Sequence, residues 1–171
     1  ETVKRTLAFI SENWREQPSL QELGEQAGLS PEHLQRLFTR WAGLSPKAFL
    51  HAVTLDHALS MLRESASILD TTYELGLSGP SRLHDLFVTH LGMSPGVYKA
   101  KGKGLSITYG FHDCQFGRAL VMVTENCLSG LAFADEGEED KALADMMARW
   151  PEAAYVRNEA ATAAYARRIF E

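Results

Sequence analysis

Two cysteines in 171 residues are too few for a disulfide framework, and Cys114 and Cys127, thirteen positions apart, fall at no metal-ligand spacing. No metal and no cofactor is therefore expected, and reduced thiols are the default. Long apolar runs are missing too. Nothing reads as a signal peptide or a membrane span, which excludes a membrane partner and gives a cytoplasmic location as the expectation. An excess of cations is the third absence. The chain carries 17 Lys and Arg against 22 Asp and Glu, net −5, with 10 against 11 in residues 1–101 and 7 against 11 in residues 102–171. Strong indiscriminate attraction to polyanions is thereby excluded. A local basic face is not, because acids collect upstream at Glu12, Glu16, Glu22 and Glu25. The chain opens on Glu1 instead of methionine, as an excised or processed polypeptide would.

What is present is a signal written twice. Ala27-Gly28-Leu29-Ser30-Pro31, Leu34, Leu37-Phe38, Gly43-Leu44-Ser45-Pro46 and Phe49 are answered by Leu75-Gly76-Leu77-Ser78, Leu83, Leu86-Phe87, Gly92-Met93-Ser94-Pro95 and Tyr98. The offset from Leu34 to Leu83 and from Phe49 to Tyr98 is 49, with one residue inserted in the second turn. Such duplication fixes architecture before any element is assigned. In the first copy Leu34, Leu37, Phe38 and Trp41 follow the i, i+3, i+4, i+7 rule of one apolar helix face. Ser30 caps that helix, Pro31 suits its first position and Gly43 stops it. A shorter helix starting at Ser19 carries Leu20, Leu23, Gly24 and Ala27, and Gly28 closes it. Two short helices joined at a glycine turn make a helix-turn-helix, whose second helix enters the major groove of double-stranded DNA. Between the copies, Ser45-Pro46 opens a longer helix to about Arg63. Its length of roughly 27 Å suits two recognition helices about one DNA turn apart.

Residues 1–101 resemble the DNA-binding domain of AraC-type transcriptional regulators, in which a long helix bridges two helix-turn-helix units. The most specific matches are Ala27-Gly28-Leu29-Ser30, Leu34-Gln35-Arg36-Leu37-Phe38 and Gly92-Met93-Ser94-Pro95. The resemblance implies a transcriptional activator that works with RNA polymerase, and a monomer reading an asymmetric site about two major grooves long.

The first recognition helix offers Glu32, His33, Gln35, Arg36, Thr39 and Arg40. Arg36 can take guanine O6 and N7 with two hydrogen bonds, and Gln35 can do the same for adenine N6 and N7. Arg40, a turn later, suits phosphate. Glu32 either accepts from cytosine N4 or favours the helix N-terminus. In the second copy His84 stands for Gln35, Asp85 for Arg36, Arg82 for His33 and Thr89 for Arg40. The first unit is therefore predicted to dominate readout, with Ser81, Arg82 and His84 making weaker or backbone-positioning contacts. Asp85 faces solvent or pairs with Arg82. Few neutralised phosphates predict a shallow salt dependence.

Residues 102–104 read as a linker, and beyond them the period changes. Ile107–Phe111, Ala119–Thr124 and Leu128–Phe133 read as three strands of an antiparallel meander, with turns at His112–Gly117 and Glu125-Asn126. The acids of Glu136–Asp140 open a helix with Leu143, Met146, Met147 and Trp150 on one face and Pro151 as its stop. Ala160–Phe170 reads as a last helix. This half, 105–171, resembles the N-terminal subdomain of methylated-DNA–protein-cysteine methyltransferases. The matches are Ile107-Thr108-Tyr109-Gly110-Phe111, Phe116-Gly117-Arg118-Ala119-Leu120-Val121, Leu131-Ala132-Phe133-Ala134-Asp135 and Arg149-Trp150-Pro151. The order of the two halves is similar to that of the Ada family of alkylation-response proteins. The expected fold is thus multidomain: an all-α double helix-turn-helix followed by a small α+β domain which the resemblance implies is ribonuclease H-like.

One departure bears on activity. The transferase's nucleophilic cysteine lies in a Pro-Cys-His-Arg stretch, which does not occur here. Cys114 follows Asp113 and Cys127 follows Asn126, without an adjacent His or Arg to lower the thiol pKa. A buried, inert thiol is expected at Cys127. No catalytic residue is assigned, and this chain should transfer no alkyl group. A parent protein with the acceptor stretch outside these residues would be a methyltransferase, with this chain supplying its scaffold.

Overall fold

The computed structural model describes residues 1–125 and 127–170. They form two units, one over Glu1–Leu86 and the other from Phe87 onward.

The first unit is helical. Helix α1 (Thr2–Glu12) is followed by a 3-10 turn at Trp14–Glu16, then α2 (Leu20–Ala27), α3 (Pro31–Ala42), α4 (Pro46–Arg63), α5 (Ile68–Glu74) and α6 (Pro80–Leu91). α6 crosses the boundary between the units. The starts are set by side-chain caps. Ser19, Ser30, Ser45 and Ser67 each accept a hydrogen bond from the backbone N–H three residues on. Helix α1, unassigned from sequence, packs on α2, α3 and α4. Ile10, Leu23, Leu34, Phe38, Leu50, Ala58, Leu62, Leu75 and Leu83 are buried, at about 1.5–3 kcal/mol for each large side chain.

At the N-terminus of α2 the cap is reciprocal. The Glu22 carboxylate accepts the Ser19 N–H at 2.7 Å, and this bond, then the Ser19 side chain, holds the Glu22 pKa below its ordinary 4.5. A carboxylate with a depressed folded pKa stabilises the fold above its unfolded pKa, and that contribution disappears as pH falls through the folded value. Wild type is therefore expected to be more stable than Glu22→Gln at neutral pH, with the difference closing as pH falls below about 4.5. Urea unfolding at a series of pH values checks this, and a difference that persists in acid would refute it.

The 3-10 turn, which the sequence did not announce, ties the two helix-turn-helix units to α4. The Trp14 ring stacks on His57 of α4 at 4.0 Å, with the Arg15 guanidinium over its other contacts at 4.8 Å from the ring centre. Gln17, left-handed at φ 49, donates from Nε2 to the carbonyl of Trp14, the hydroxyl of Thr54 on α4 and the carbonyl of Leu75 just past α5. Gln17→Ala leaves those acceptors short of a donor and is expected to cost about 1–3 kcal/mol in chemical denaturation. Loss below a few tenths would mean that water replaces the amide.

The second unit contains the end of α6, then α7 (Pro95–Lys99), β1 (Ser106–Cys114), β2 (Gly117–Val123), β3 (Leu128–Ala134), α8 (Glu139–Met147), β4 (Ala154–Arg157) and α9 (Glu159–Phe170). The sheet order is β3-β2-β1-β4. β1, β2 and β3 are antiparallel, as the meander required, but β4 runs parallel to β1 with Ile107 opposite Tyr155. The sheet is therefore mixed. α8 packs on β2 and β3, and α9 on β1 and β2. Alternation along the strands gives each helix its own core. Ile107, Phe111, Leu120 and Met122 gather with Met146 of α8, whereas Val121 and Val123 gather with Ala166 of α9. The expected α+β domain is thus a small α/β layer with helices on both faces. β4 escaped notice because it is a four-residue edge strand with three exposed positions and no apolar alternation.

Four further expectations change. His112–Cys114 continue β1, and the turn narrows to Gln115-Phe116. Trp150 lies beyond α8, which ends at Met147; its ring meets Tyr98 of α7 edge-on at 5.3 Å. Residues 102–104 are no free linker. Gly102 N–H donates to Val97 O, Leu105 N–H to Gly102 O, and the Lys101 carbonyl accepts from Glu152 N–H. Cys127 is half-buried instead of buried, and its N–H donates to the Thr124 hydroxyl at 3.3 Å. Of the expected Glu125-Asn126 turn, Asn126 lies outside the described residues.

Candidate nucleic-acid interface

Helix α3 is held from one side and bare on the other. Leu34 and Phe38 are fully buried, and the Phe38 ring lies 6.1 Å from Phe49 of α4. Helix α2 covers part of the same face. The cap at Ser30 and the left-handed Gly43 at φ 78 fix both ends. The packed face orients the other: Glu32, Arg36 and Arg40, spaced four apart, form one exposed row, and Gln35 and Thr39 are exposed beside it. All four residues singled out on this helix, Glu32, Gln35, Arg36 and Arg40, are therefore presented together. Gln35 stands apart from the row, lining a cleft of about 500 Å³ with Ser19, Ser45, Lys47 and His51.

Trp41 does not join the packed face, being 73 % exposed. Its i+7 position runs past the support available. α2 has eight residues and α3 twelve, about 12 Å against about 18 Å. Lys47 was missed from sequence, although a signal existed. It is the second residue of α4, where the helix dipole disfavours a cation, so local stability does not explain it.

On α6 the same logic holds. Leu83 and Leu86 are buried, whereas Ser81, Arg82 and His84 are exposed. Asp85, at the position of Arg36, is 69 % exposed and lies 3.9 Å from the His84 Nδ1. Of the two expectations for Asp85, the solvent-facing one describes it. The α6 row thus offers an acid and an imidazole where α3 offers a guanidinium and an amide.

In the second unit Cys114 shares a cleft of about 370 Å³ with His112, Asp113, Gln115 and Arg167. The alternation of β1 and the packing of α9 bring His112 and Arg167 there, although no sequence neighbour of Cys114 does. His112 Nε2 is engaged at 2.7 Å with the Thr162 hydroxyl, and Asp113 accepts from Arg118 at 2.9 Å. No helix of the described residues is long and apolar enough to cross a membrane.

The comparisons agree with the geometry of the first half. Residues 23–101 match the family model described as "Helix-turn-helix domain". The bifunctional transcriptional activator/DNA repair enzyme Ada of Escherichia coli strain K12 is 28 % identical over 118 residues, 69 % of this chain and 33 % of Ada. The chain thus spans about a third of that relative. The DNA-binding domain of AdpA, a global transcriptional factor solved in complex with a target DNA, superposes with a TM-score of 0.55 at 25 % identity, over 58 % of this chain and 91 % of that one. A transcriptional regulator from Chromobacterium violaceum, described as an AraC-type DNA-binding domain-containing protein, gives 0.52 at 22 % identity, over 59 % and 91 %. Two capped helix pairs bridged by α4, with the family match lying across them, make residues 23–101 a helix-turn-helix domain of the AraC type.

Proposed function

We propose that the chain is a sequence-specific double-stranded DNA-binding transcriptional regulator, with residues 1–101 as its DNA-binding domain. The observation that carries this reading is the exposed row of Glu32, Arg36 and Arg40 on a helix whose opposite face is fully buried. Arg36 reads guanine, Gln35 reads adenine from the edge of the cleft, Glu32 accepts from cytosine, and Arg40 and Lys47 meet phosphate. Ser81, Arg82 and His84 position the second unit on the backbone. The regulator acts as a monomer, activates in concert with RNA polymerase and works in the cytoplasm. Selection from random duplexes two major grooves long tests it. A recovered motif with a strong half and a weak half is expected, with a salt slope of only a few phosphates at about −0.9 each. Recovery of unenriched sequence would refute the reading.

A second reading concerns the whole protein and residues 105–171. The similarity to Ada runs over 118 residues, more than the helix-turn-helix match contains. The sheet order β3-β2-β1-β4 with β4 parallel to β1 accords with a ribonuclease H-like transferase subdomain. Phe116 and Phe133 pack edge to face at 5.7 Å while 66 % and 51 % exposed, as a scaffold awaiting further protein would leave them. On this reading the protein belongs to an Ada-like alkylation response, and residues 105–171 support a methyltransferase centre that this chain does not contain. Intact mass after incubation with methylated DNA tests the last point. No gain of a methyl group is expected, and a gain on Cys114 or Cys127 would overturn it.

A further inference from the structure

The two helix-turn-helix units allow a comparison within one chain. α2 and α5 are counterparts at an offset of 48, from Ser19 and Ser67 at their caps to Gly28 and Gly76 at their turns. Their inner faces correspond: Leu23 and Gly24 are buried in α2, Thr71 and Thr72 in α5. Their outer faces do not. α2 presents Gln21 and Glu25, hydrogen-bonded to each other at 3.1 Å. At the same positions α5 presents Leu69 and Tyr73, 52 % and 62 % exposed. The fold accepts polar residues there, as α2 shows, so packing does not explain the apolar pair.

Charge on the same face narrows what would cover it. Asp70 and Glu74 are exposed beside Leu69 and Tyr73, and α5 contains no cation. Glu74 sits in the last turn, where the helix dipole disfavours a carboxylate; its counterpart in α2 is Gln26. A face of two acids repels phosphate, which argues against DNA as the occupant. We propose that the outer face of α5 is a docking surface for a basic segment of another protein, one that sets apolar side chains against Leu69 and Tyr73 and Lys or Arg against Asp70 and Glu74. This second surface lets a DNA-bound regulator hold a protein partner, and in that respect it rests on the regulator reading.

The test places a photoreactive residue on the face in the full chain, Tyr73→p-benzoylphenylalanine, with Leu69→p-benzoylphenylalanine as a second variant. Irradiation in living cells is followed by mass spectrometry of the joined peptides, and each variant is assayed for binding to the selected duplex. The expected result is an adduct to a protein segment of net positive charge. Adding Leu69→Gln to the Tyr73 variant should lower the yield about fivefold or more, the cost of removing one apolar anchor. Joining mainly to DNA, to a second copy of this chain or to a neutral or acidic segment overturns the proposal. So does the absence of any adduct from both positions. Failure of the wild-type chain to bind any duplex while the basic adduct still forms would sink the regulator reading and leave the docking surface standing.

Discussion

Gly76→Ala is expected to destabilise the first unit by about 3 kcal/mol or more, whereas Gly28→Ala at the equivalent turn should cost about 1 kcal/mol. The two glycines share a backbone conformation, φ 69 and φ 68. The strain of a side chain in the left-handed region is therefore common to both and cancels in the comparison. What differs is the surroundings. A Cβ on Gly28 meets nothing within 4 Å, while one on Gly76 collides with the backbone carbonyl of Arg15. A carbonyl cannot rotate away as a side-chain tip would, so the 3-10 turn itself must move. That turn carries Trp14 and Gln17, and the Gln17 amide bonds the Leu75 carbonyl one residue before Gly76. Hydrogen exchange of the α5 and α4 amides in urea would measure the effect where it acts, without assuming that both units unfold together. Equal losses for the two variants would show that the Arg15 contact is not rigid.

Arg36→Ala is expected to weaken binding to the selected duplex by roughly ten- to hundredfold, the 1–3 kcal/mol of one bidentate guanine contact. It should also relax the preference at a single base pair. The expectation follows from position: Arg36 lies in the middle of the exposed row, between Glu32 and Arg40, on a helix fixed by Leu34 and Phe38. Arg36→Lys keeps the charge but loses the planar fork, so it should recover phosphate-type affinity without the base preference. The repeat supplies the reciprocal experiment. Asp85 occupies the corresponding place on α6, exposed and acidic, so Asp85→Ala should tighten binding by removing repulsion from the duplex. Fluorescence anisotropy at fixed salt reads all three. If Arg36→Ala lowers affinity equally for every sequence, Arg36 is a phosphate contact and the base reader lies elsewhere.

Much of the helical half was legible because each local choice there agrees with the next. Serine caps, proline at the first helical position, left-handed glycines and apolar spacing at three and four residues all act within a few residues of chain. They delimited α2, α3 and α4 and the exposed row on α3, and the repeat carried the same reading to α6. What depended on distant partners was not legible. The exposure of Trp41 followed from the shortness of α2, which periodicity within α3 does not contain. The role of Gln17 required Thr54 and Leu75, 37 and 58 residues away. The cleft that joins Lys47 to Gln35 required α4 to start against α3.

The second half divides along the same line. Hairpin-connected strands β1 to β3 announced themselves because apolar runs and turns are local signals. β4 and its parallel pairing with β1 did not, since a crossover through α8 leaves its partner choice to the packing of Met146 and Tyr155 in the sheet's core. By itself, then, the sequence determined the duplicated helix-turn-helix, its caps and its outward-facing polar side chains, for which sterics and local hydrogen bonds suffice. Tertiary structure alone decided which apolar groups stay outside, where the mixed sheet closes and which of two like turns lies against the Arg15 carbonyl, because each of these depends on what another segment brings to the same place.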